Sequence, residues 1–464
     1  MSLLELEEKF NLTTDFKKRI LNNKITLYYL ETIVNVCEVE THIIDPIQEI
    51  IQERKSLITF ERIETIISSL SYRESISIEE IVAGIIEGNT FISIEGKSNG
   101  LLVSTPNWLE RSVEAVNGER SLKGPIIGFT EKINSNINII RSIVKTHNLI
   151  VEKTPYGNSS STDIAIMYMR DLVNNQALEK VKERIAKMRV NYVIEARIVE
   201  DALEGKPKTF ADLVMTKERV DTTTSSLLEG RVIIFVDGAP YAIIAPTLFF
   251  DFFQAADDYH MKAGRFINRL IRILSFLISI FIPAVYVTVE KHMGKTFSET
   301  TQKILFNKGE IIPTFWEIAI LLILFRILVD IGVRAPRGVI ILIATIATIV
   351  IGQTSVTAKL IHPTGLVVVG LSVFLSFLII YRGQTGLVFN LRYAFLIAGN
   401  YFGFSGITIL ATITLIYLAQ LKSLGVPYLS PFFPFRPTEF RDVLIRGDLR
   451  ELHNRKHIFP NESE

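Results

Sequence analysis

The sequence predicts an α/β N-terminal cytoplasmic region of two subdomains, followed by an α-helical polytopic membrane domain. Three observations predict it. Charge is spread unevenly: of 50 basic and 49 acidic side chains in 464 residues, only 15 fall between residues 273 and 421. The first 255 residues alternate helical periodicity with short strand pairs. Later blocks run for 17 to 29 residues without a charge, the length a helix needs to cross a bilayer. The net charge of +1 lacks the basic excess of a nucleic-acid binder. One cysteine, Cys37, excludes an internal disulfide and a multi-cysteine metal site. His453 and His457 stand at helical spacing without the glutamate of a zinc-hydrolase motif, and read as a solvated basic tail.

The expected divisions are residues 1–106 and 107–255 for two α/β subdomains, 256–421 for the membrane domain and 422–464 for a cytoplasmic tail. In the first, Ile50, Ile51, Leu57, Ile58, Ile63, Ile66 and Ile67 follow a helical period across 49–69. Phe91–Ile94 and Leu101–Val103 flank a glycine turn, and Val232–Val236 and Tyr241–Ile244 flank Asp237-Gly238, a strong hairpin signal. Residues 87–96 align without gaps on 229–238, sharing Glu-Gly, a strand and an acid before glycine. Duplication and convergent hairpin chemistry both explain this.

Gly157-Asn158-Ser159-Ser160-Ser161-Thr162 could cradle an anion on backbone N–H groups, or form a turn into an apolar strand at 164–169. It lacks the Gly-Lys-Ser/Thr ending of a P-loop, and Val289 stands where Gly294-Lys295-Thr296 would need its first glycine. No pair of carboxylates is placed for acid–base work. The expectation is a protein that is not an enzyme and needs no cofactor. The N-terminus carries acids where a secretory signal has basic residues, so the first region is expected in the cytoplasm.

Spans are expected near 273–289, 338–358, 360–381 and 393–421. Pro283 should disturb the first by removing a backbone donor. Lys359 separates the second from the third. Gly399, Gly403 and Gly406 argue that the last breaks or forms a helix pair. Residues 317–333 either cross or lie flat, because Arg326 and Asp330, four apart, can satisfy one another on one helix face. Lys262, Arg265, Arg269 and Arg272 before the first span, with Lys422, Arg436 and Arg441 after the last, favour both ends in the cytoplasm and four to six crossings.

An ordered set of motifs carries a resemblance. Gly124-Pro125, Gly128-Phe129-Thr130-Glu131, Asn136 and Arg141 come first. Gly157 with Ser161-Thr162, Glu218-Arg219 with Asp221, 227–231, Asp237-Gly238 and Asp258-Tyr259 follow. Then come Pro283-Ala284, Gly332 to Arg334 with Pro336, and Gly425-Val426-Pro427-Tyr428. Together they resemble the A subunits of GerA-type spore germination receptors. Ile126 and Ile127 replace the family's usual Arg-Glu, Val220 replaces a proline, and Val329-Asp330 keeps the acid of an Arg-Glu pair, with Arg326 one turn earlier.

The resemblance implies a multi-pass subunit of the spore inner membrane. It implies a permease-like B subunit and a lipoprotein C subunit as partners, homo-oligomerisation, and release of monovalent cations on nutrient sensing. On that picture Gly124, Pro125, Gly128, Phe129, Thr130, Glu131, Asn136, Arg141, Gly157, Ser161, Thr162, Asp237 and Gly238 serve structure or assembly. Pro283, Arg326, Asp330, Arg334, Pro336, Lys359 and Pro427 are candidates for gating. A secondary transporter and a non-conducting scaffold are the alternatives.

Overall fold

The computed structural model describes residues 3–22, 24–52, 63–65, 67, 70–97, 99–108, 127–205, 209–255, 258, 267–306, 310–378, 384–436, 440 and 443. The first subdomain starts with helix α1 (Leu3–Phe10) and strands β1 (Phe16–Leu21) and β2 (Ile25–Leu30). Helix α2 (Val36–Val39) passes through a π turn into α3 (Asp45–Gln52). Strand β3 (Tyr72–Ser75), helix α4 (Ile78–Ile86), β4 (Asn89–Ile94) and β5 (Gly100–Ser104) complete it. Alternation along β2 sends Leu27 and Tyr29 to one face, against Val39, Ile43 and Ile47. Tyr28 and Leu30 go to the other, against Leu6, Phe10 and Ile85. Helices thus cover both faces of the sheet.

The second subdomain repeats the plan with α5 (Ile133–Ile143), β6 (Leu149–Tyr156), β7 (Thr162–Met169), α6 (Asn175–Ala186), α7 (Arg197–Glu204), β8 (Met215–Lys217), α8 (Val220–Leu228), β9 (Val232–Val236) and β10 (Ala242–Ala245). The two sheets have one topology, β1-β2-β4-β5-β3 and β6-β7-β9-β10-β8. Gly88 and Gly230, just before the fourth strand of each, have φ of 90° and 86°. A Cβ on either would press on a carbonyl three residues beyond the second strand, that of Ile33 or Leu172. Five residues beyond that strand, Asn35 and Asn174 cap the next helix, accepting from the amides of Glu38 and Ala177. These agreements favour duplication over convergent hairpin chemistry.

A 3₁₀ turn (Phe249–Phe253) leads to the helical region. It comprises α9 (Asn268–Met293), α10 (Glu299–Leu305), α11 (Thr314–Arg334), α12 (Arg337–Ala347), α13 (Pro363–Ser376) and α14 (Gln384–Gln420). A π segment (Thr348–Thr354) and a final turn (Ser355–Thr357) continue α12. Among the described residues, 268–293, 338–357 and 386–420 are long and apolar enough to cross a membrane.

Two of these elements depart from a simple count of apolar residues. Helix α13 has 14 residues, shorter than the uncharged block that contains it. Helix α14 is broken at Gly403, with φ 65° and ψ −149°. A Cβ on Gly406 would come within 2.6 Å of the Ala398 carbonyl, and one on Gly399 within 3.3 Å of Ile407. Residues eight apart lie about 12 Å apart along a straight helix, so the chain reverses here. The first half runs beside α9, with Phe281 against Phe395 and Gly403 against His292. The second half returns to the second subdomain, where the Tyr417 hydroxyl accepts from the Phe210 amide at 3.2 Å.

Residues beyond α14 pack inward. Strands β11 (Lys422–Ser423) and β12 (Val426–Pro427) pair. The Ser423 hydroxyl donates to the Leu213 carbonyl (2.6 Å) and accepts from the Thr247 amide (3.0 Å). Tyr428 is fully buried and meets Phe249 edge to face. One apolar core runs from Phe235 through Phe253 to Phe276 of α9 and Phe395 of α14, joining the second sheet to the helices.

Candidate functional site

Two constellations join residues singled out from sequence to partners that the sequence did not mark. The first lies at the seam of the N-terminal subdomains. Helix α5 has Lys132 at its N-cap position, which makes no capping bond. The Asp237 carboxylate accepts instead from the Ile133 amide at 3.1 Å, and the Gly238 amide donates to the Glu131 carbonyl at 2.8 Å. The β9–β10 turn therefore caps α5 from outside. Asn136 holds Thr130 at both ends: its Oδ1 accepts from the Thr130 amide (2.9 Å) and its Nδ2 donates to the Thr130 carbonyl (2.7 Å). Phe129 packs edge-on against Phe235, and its amide donates to the Glu218 carbonyl. Gly128 bridges Arg219, whose guanidinium grips Asp221 at 2.7 Å. Gly124 and Pro125 lie outside the described residues.

From the buried face of α5, Arg141 reaches into the first subdomain. Its Nε and Nη2 donate to the two oxygens of Asp15 at 2.7 and 2.8 Å, and Nη2 also donates to the Thr13 hydroxyl. The Arg141 and Asp15 side chains are 3% and 5% exposed. One turn earlier, Asn138 donates to the Thr32 and Asn107 carbonyls, both across the seam. A bidentate, desolvated pair fixes orientation as well as distance. This part of the motif joins two subdomains and offers no reactive group.

The Gly157 loop is a turn that uses the Ser160 and Thr162 hydroxyls in its own packing. Gly157 has φ 89°, and its carbonyl accepts from the Ser161 amide. The Ser160 hydroxyl accepts from the Val193 amide, and that of Thr162 donates to the Val193 carbonyl at 2.7 Å. The loop pins a neighbouring segment rather than presenting a phosphate cradle.

The second constellation centres on Pro283. Proline has no N–H to give to the carbonyl four residues back, here that of Ser279. That carbonyl accepts instead from Arg392 Nε at 2.9 Å and from the Ser372 hydroxyl at 2.6 Å. Arg392 Nη2 donates to the Ser372 carbonyl at 3.2 Å. Three helices, α9, α13 and α14, thus meet at one freed carbonyl, and Arg392 is only 5% exposed. Neighbouring helices commonly satisfy a backbone group released by proline in this way.

The remaining membrane candidates disperse. On α11, Asp330 lies 3.9 Å from Arg326 and 3.4 Å from Arg334; Arg326 and Asp330 are half-exposed and Arg334 is exposed. The helix packs into the bundle, with Ile318 and Leu322 buried near Val369. Pro336 stands at the N-cap position of α12. Lys359 has φ 53° and turns the chain toward α13, its carbonyl accepting from the Ile311 amide. At that same end the Glu317 carboxylate accepts from the His362 amide, and the Thr314 hydroxyl donates to Glu290. Pro427 lies in β12 beside the second subdomain, distant along the chain from all of these.

Sequence reading passed over Asp15, Arg392 and Asp251, and named Asp258, Arg269 and Arg272 without pairing them. Asp258, fully buried, accepts from Arg272 at 2.6 and 2.9 Å and from Arg269 at 3.4 Å. Arg231 holds Asp251, whose carboxylate also accepts from the Leu248 amide. Deeper in the second subdomain, burial raises the carboxyl pKa values of Glu200, Glu204 and Asp212 against the opposing pull of Arg197.

Comparison with known proteins adds four findings. A family model described as Bacillus/Clostridium GerA spore germination protein matches residues 5–458. Spore germination protein KA of Bacillus subtilis (strain 168) is 33% identical over 371 residues, 79% of this chain and 68% of that protein. Spore germination protein GerQA of Bacillus cereus is 29% identical over 442 residues, 94% and 87% of the two chains. Among solved structures, the N-terminal domain of the A subunit of the Bacillus megaterium spore germinant receptor GerK3 is similar at 24% identity. That match has a TM-score of 0.41 and covers 53% of this chain and 94% of the other.

Proposed function

The chain belongs to the Bacillus/Clostridium GerA spore germination protein family, and from that premise we propose that it is an ion-conducting subunit of a nutrient germinant receptor. It works as a homo-oligomer in the spore inner membrane, beside a permease-like B subunit and a lipoprotein C subunit, and passes monovalent cations. Its two α/β subdomains lie in the cytoplasm. Helices α9, α11, α12, α13 and the two halves of α14 make six passes. The inward packing of residues 422–428 on the second subdomain supports an even number, since both ends of the bundle then lie on one side.

One observation carries the conducting role. Residues 338–357 are long and apolar enough to span, yet none of their side chains is buried. Within that helix Thr345, Thr348 and Gly352 share a face, and the two threonine hydroxyls donate to the Ile341 and Ala344 carbonyls of their own helix. Hydroxyls satisfied in this way keep oxygen lone pairs free for water and cations. Copies of α12 arranged about an axis would line a polar path through an apolar helix. Liposomes containing the full chain alone are expected to release potassium without a coupled substrate. Uptake coupled to a solute gradient would support a transporter instead, and an absence of flux would support a scaffold.

A further inference from the structure

Between α11, α13 and the first half of α14 lies a cavity of about 60 Å³ whose wall carries two guanidinium groups, Arg326 and Arg392. Apart from Ser376 the rest of that wall is apolar. A second cavity, about 420 Å³ and lined by apolar residues and glycine, adjoins it between α11, α12 and α13. Phe325, Val329, Val373 and Phe377 form the wall common to both. The smaller space is several times what one water needs, and the larger matches a small-molecule pocket.

The charges in the smaller cavity are incompletely matched. Arg392 spends Nε and one Nη2 donor on two carbonyls. Of the five N–H donors of a guanidinium, three are left without a protein acceptor among the described residues. Arg326 lies 5.4 Å from the Phe389 ring centre, and it shares Asp330 with Arg334. Arg326 and Arg334 thus share one carboxylate, while Arg392 is held by carbonyls alone among the described residues. A buried cation in such surroundings calls for an anion. A small free anion would answer the charge but leave the adjoining apolar cavity empty. A molecule with both an anionic head and a hydrocarbon tail answers both.

We propose that the two cavities together hold one anionic phospholipid. Its phosphate lies on Arg326 and Arg392, and an acyl chain runs along Ile343, Ala347, Gly370 and Phe374. Arg326 is about two helical turns, roughly 12 Å, from Arg334 at the end of α11 that turns into α12. This is within reach of a headgroup from the leaflet on the side of the soluble subdomains. The acyl side of α12, at Ile343 and Ala347, lies about a third to a half of a turn from Thr345 and Thr348. The lipid site borders the face assigned to ions at Ala344, one turn from Thr348, and it requires only that these helices lie in a membrane.

Native mass spectrometry of the delipidated full-length chain tests this with phosphatidylglycerol, phosphatidylcholine and inorganic phosphate. Phosphatidylglycerol is expected to be retained at one per chain, at least tenfold more tightly than phosphatidylcholine, with no retention of phosphate. Arg326→Gln should reduce that preference at least threefold and Arg392→Gln should abolish it. Because Arg392 also ties three helices together, Gly370→Phe gives an independent variant. Nothing lies within 4 Å of a Cβ at Gly370, so the ring enters the apolar cavity and should displace the lipid while both arginines remain. Equal retention of the two lipids, or unchanged phosphatidylglycerol in Gly370→Phe, would overturn the proposal. Retention of free phosphate would reassign the arginines to a simple anion. Dissociation of an oligomer by Gly370→Phe, with lipid still bound, would assign the groove to a second copy and equally overturn it.

Discussion

Arg141 shows how a single motif residue earns its place by geometry. It is a guanidinium 126 residues from Asp15 in sequence, held in two parallel hydrogen bonds with almost no solvent. Removing one partner of a buried pair leaves the other charge stranded, at a cost of about 3–5 kcal/mol. Arg141→Ala is therefore expected to lower the denaturant midpoint of the full chain strongly, and Arg141→Lys nearly as much, because lysine cannot reproduce the fork. A double-mutant cycle with Asp15→Asn checks it; additive effects would contradict the pairing. A second residue-scale expectation concerns pH. Burial raises the folded-state pKa of Glu200, Glu204 and Asp212. A raised carboxyl pKa makes ionisation unfavourable to folding, so the loss is absent below the ordinary value and sets in as pH rises above it. Stability should thus fall as pH climbs from about 4.5, and Glu200→Gln should flatten the slope. Parallel pH curves for the two proteins would refute this. How much the sequence disclosed differs among these residues. Arg141 stood in a recognisable motif, yet Asp15 did not, because a pair so distant leaves no local pattern. Pro283 marked Ser279 by simple arithmetic, but nothing local marked Arg392 as the group that would satisfy its carbonyl, 113 residues away.

At the scale of elements, period and turn chemistry were legible and reversals were not. Alternation and the Asp237-Gly238 turn announce the β9–β10 hairpin, since they act within a few residues. The strand order common to both sheets depends on pairings between strands far apart, and only a ten-residue likeness hinted at it. In α14 the three glycines raised the choice between a break and a helix pair. The φ and ψ of Gly403 decide for a reversal, in a region of backbone space open essentially to glycine alone. Gly403→Ala is expected to cost about 1–3 kcal/mol in the strained backbone and to lower the amount of folded protein in the membrane. Gly386→Ala, at a helical position with nothing near its Cβ, should be tolerated. Equal yields of the two variants, measured by fluorescence size-exclusion chromatography, would argue against the hairpin.

The whole molecule is two charged α/β subdomains fused through one apolar core to a sparsely charged helical bundle. This explains why a near-neutral composition concealed two environments. If the bundle crosses six times, Cys37, which is exposed, and Lys359, at the turn before α13, lie on opposite sides of the membrane. In intact right-side-out cells a membrane-impermeant maleimide should label Lys359→Cys in a Cys37→Ser background. It should label Cys37 of the unaltered chain only after permeabilisation. Labelling of both from one side would reject the topology. The central claim is that α12 lines the ion path, and cysteine block of flux tests it most directly. Full-length protein lacking Cys37 is reconstituted in liposomes, and potassium release is followed after adding a charged methanethiosulfonate. Thr348→Cys is expected to lose most of its flux on modification, whereas Ala347→Cys, one residue back and facing the neighbouring helices, should keep it. Equal inhibition at both positions, or none at Thr348, would contradict the account.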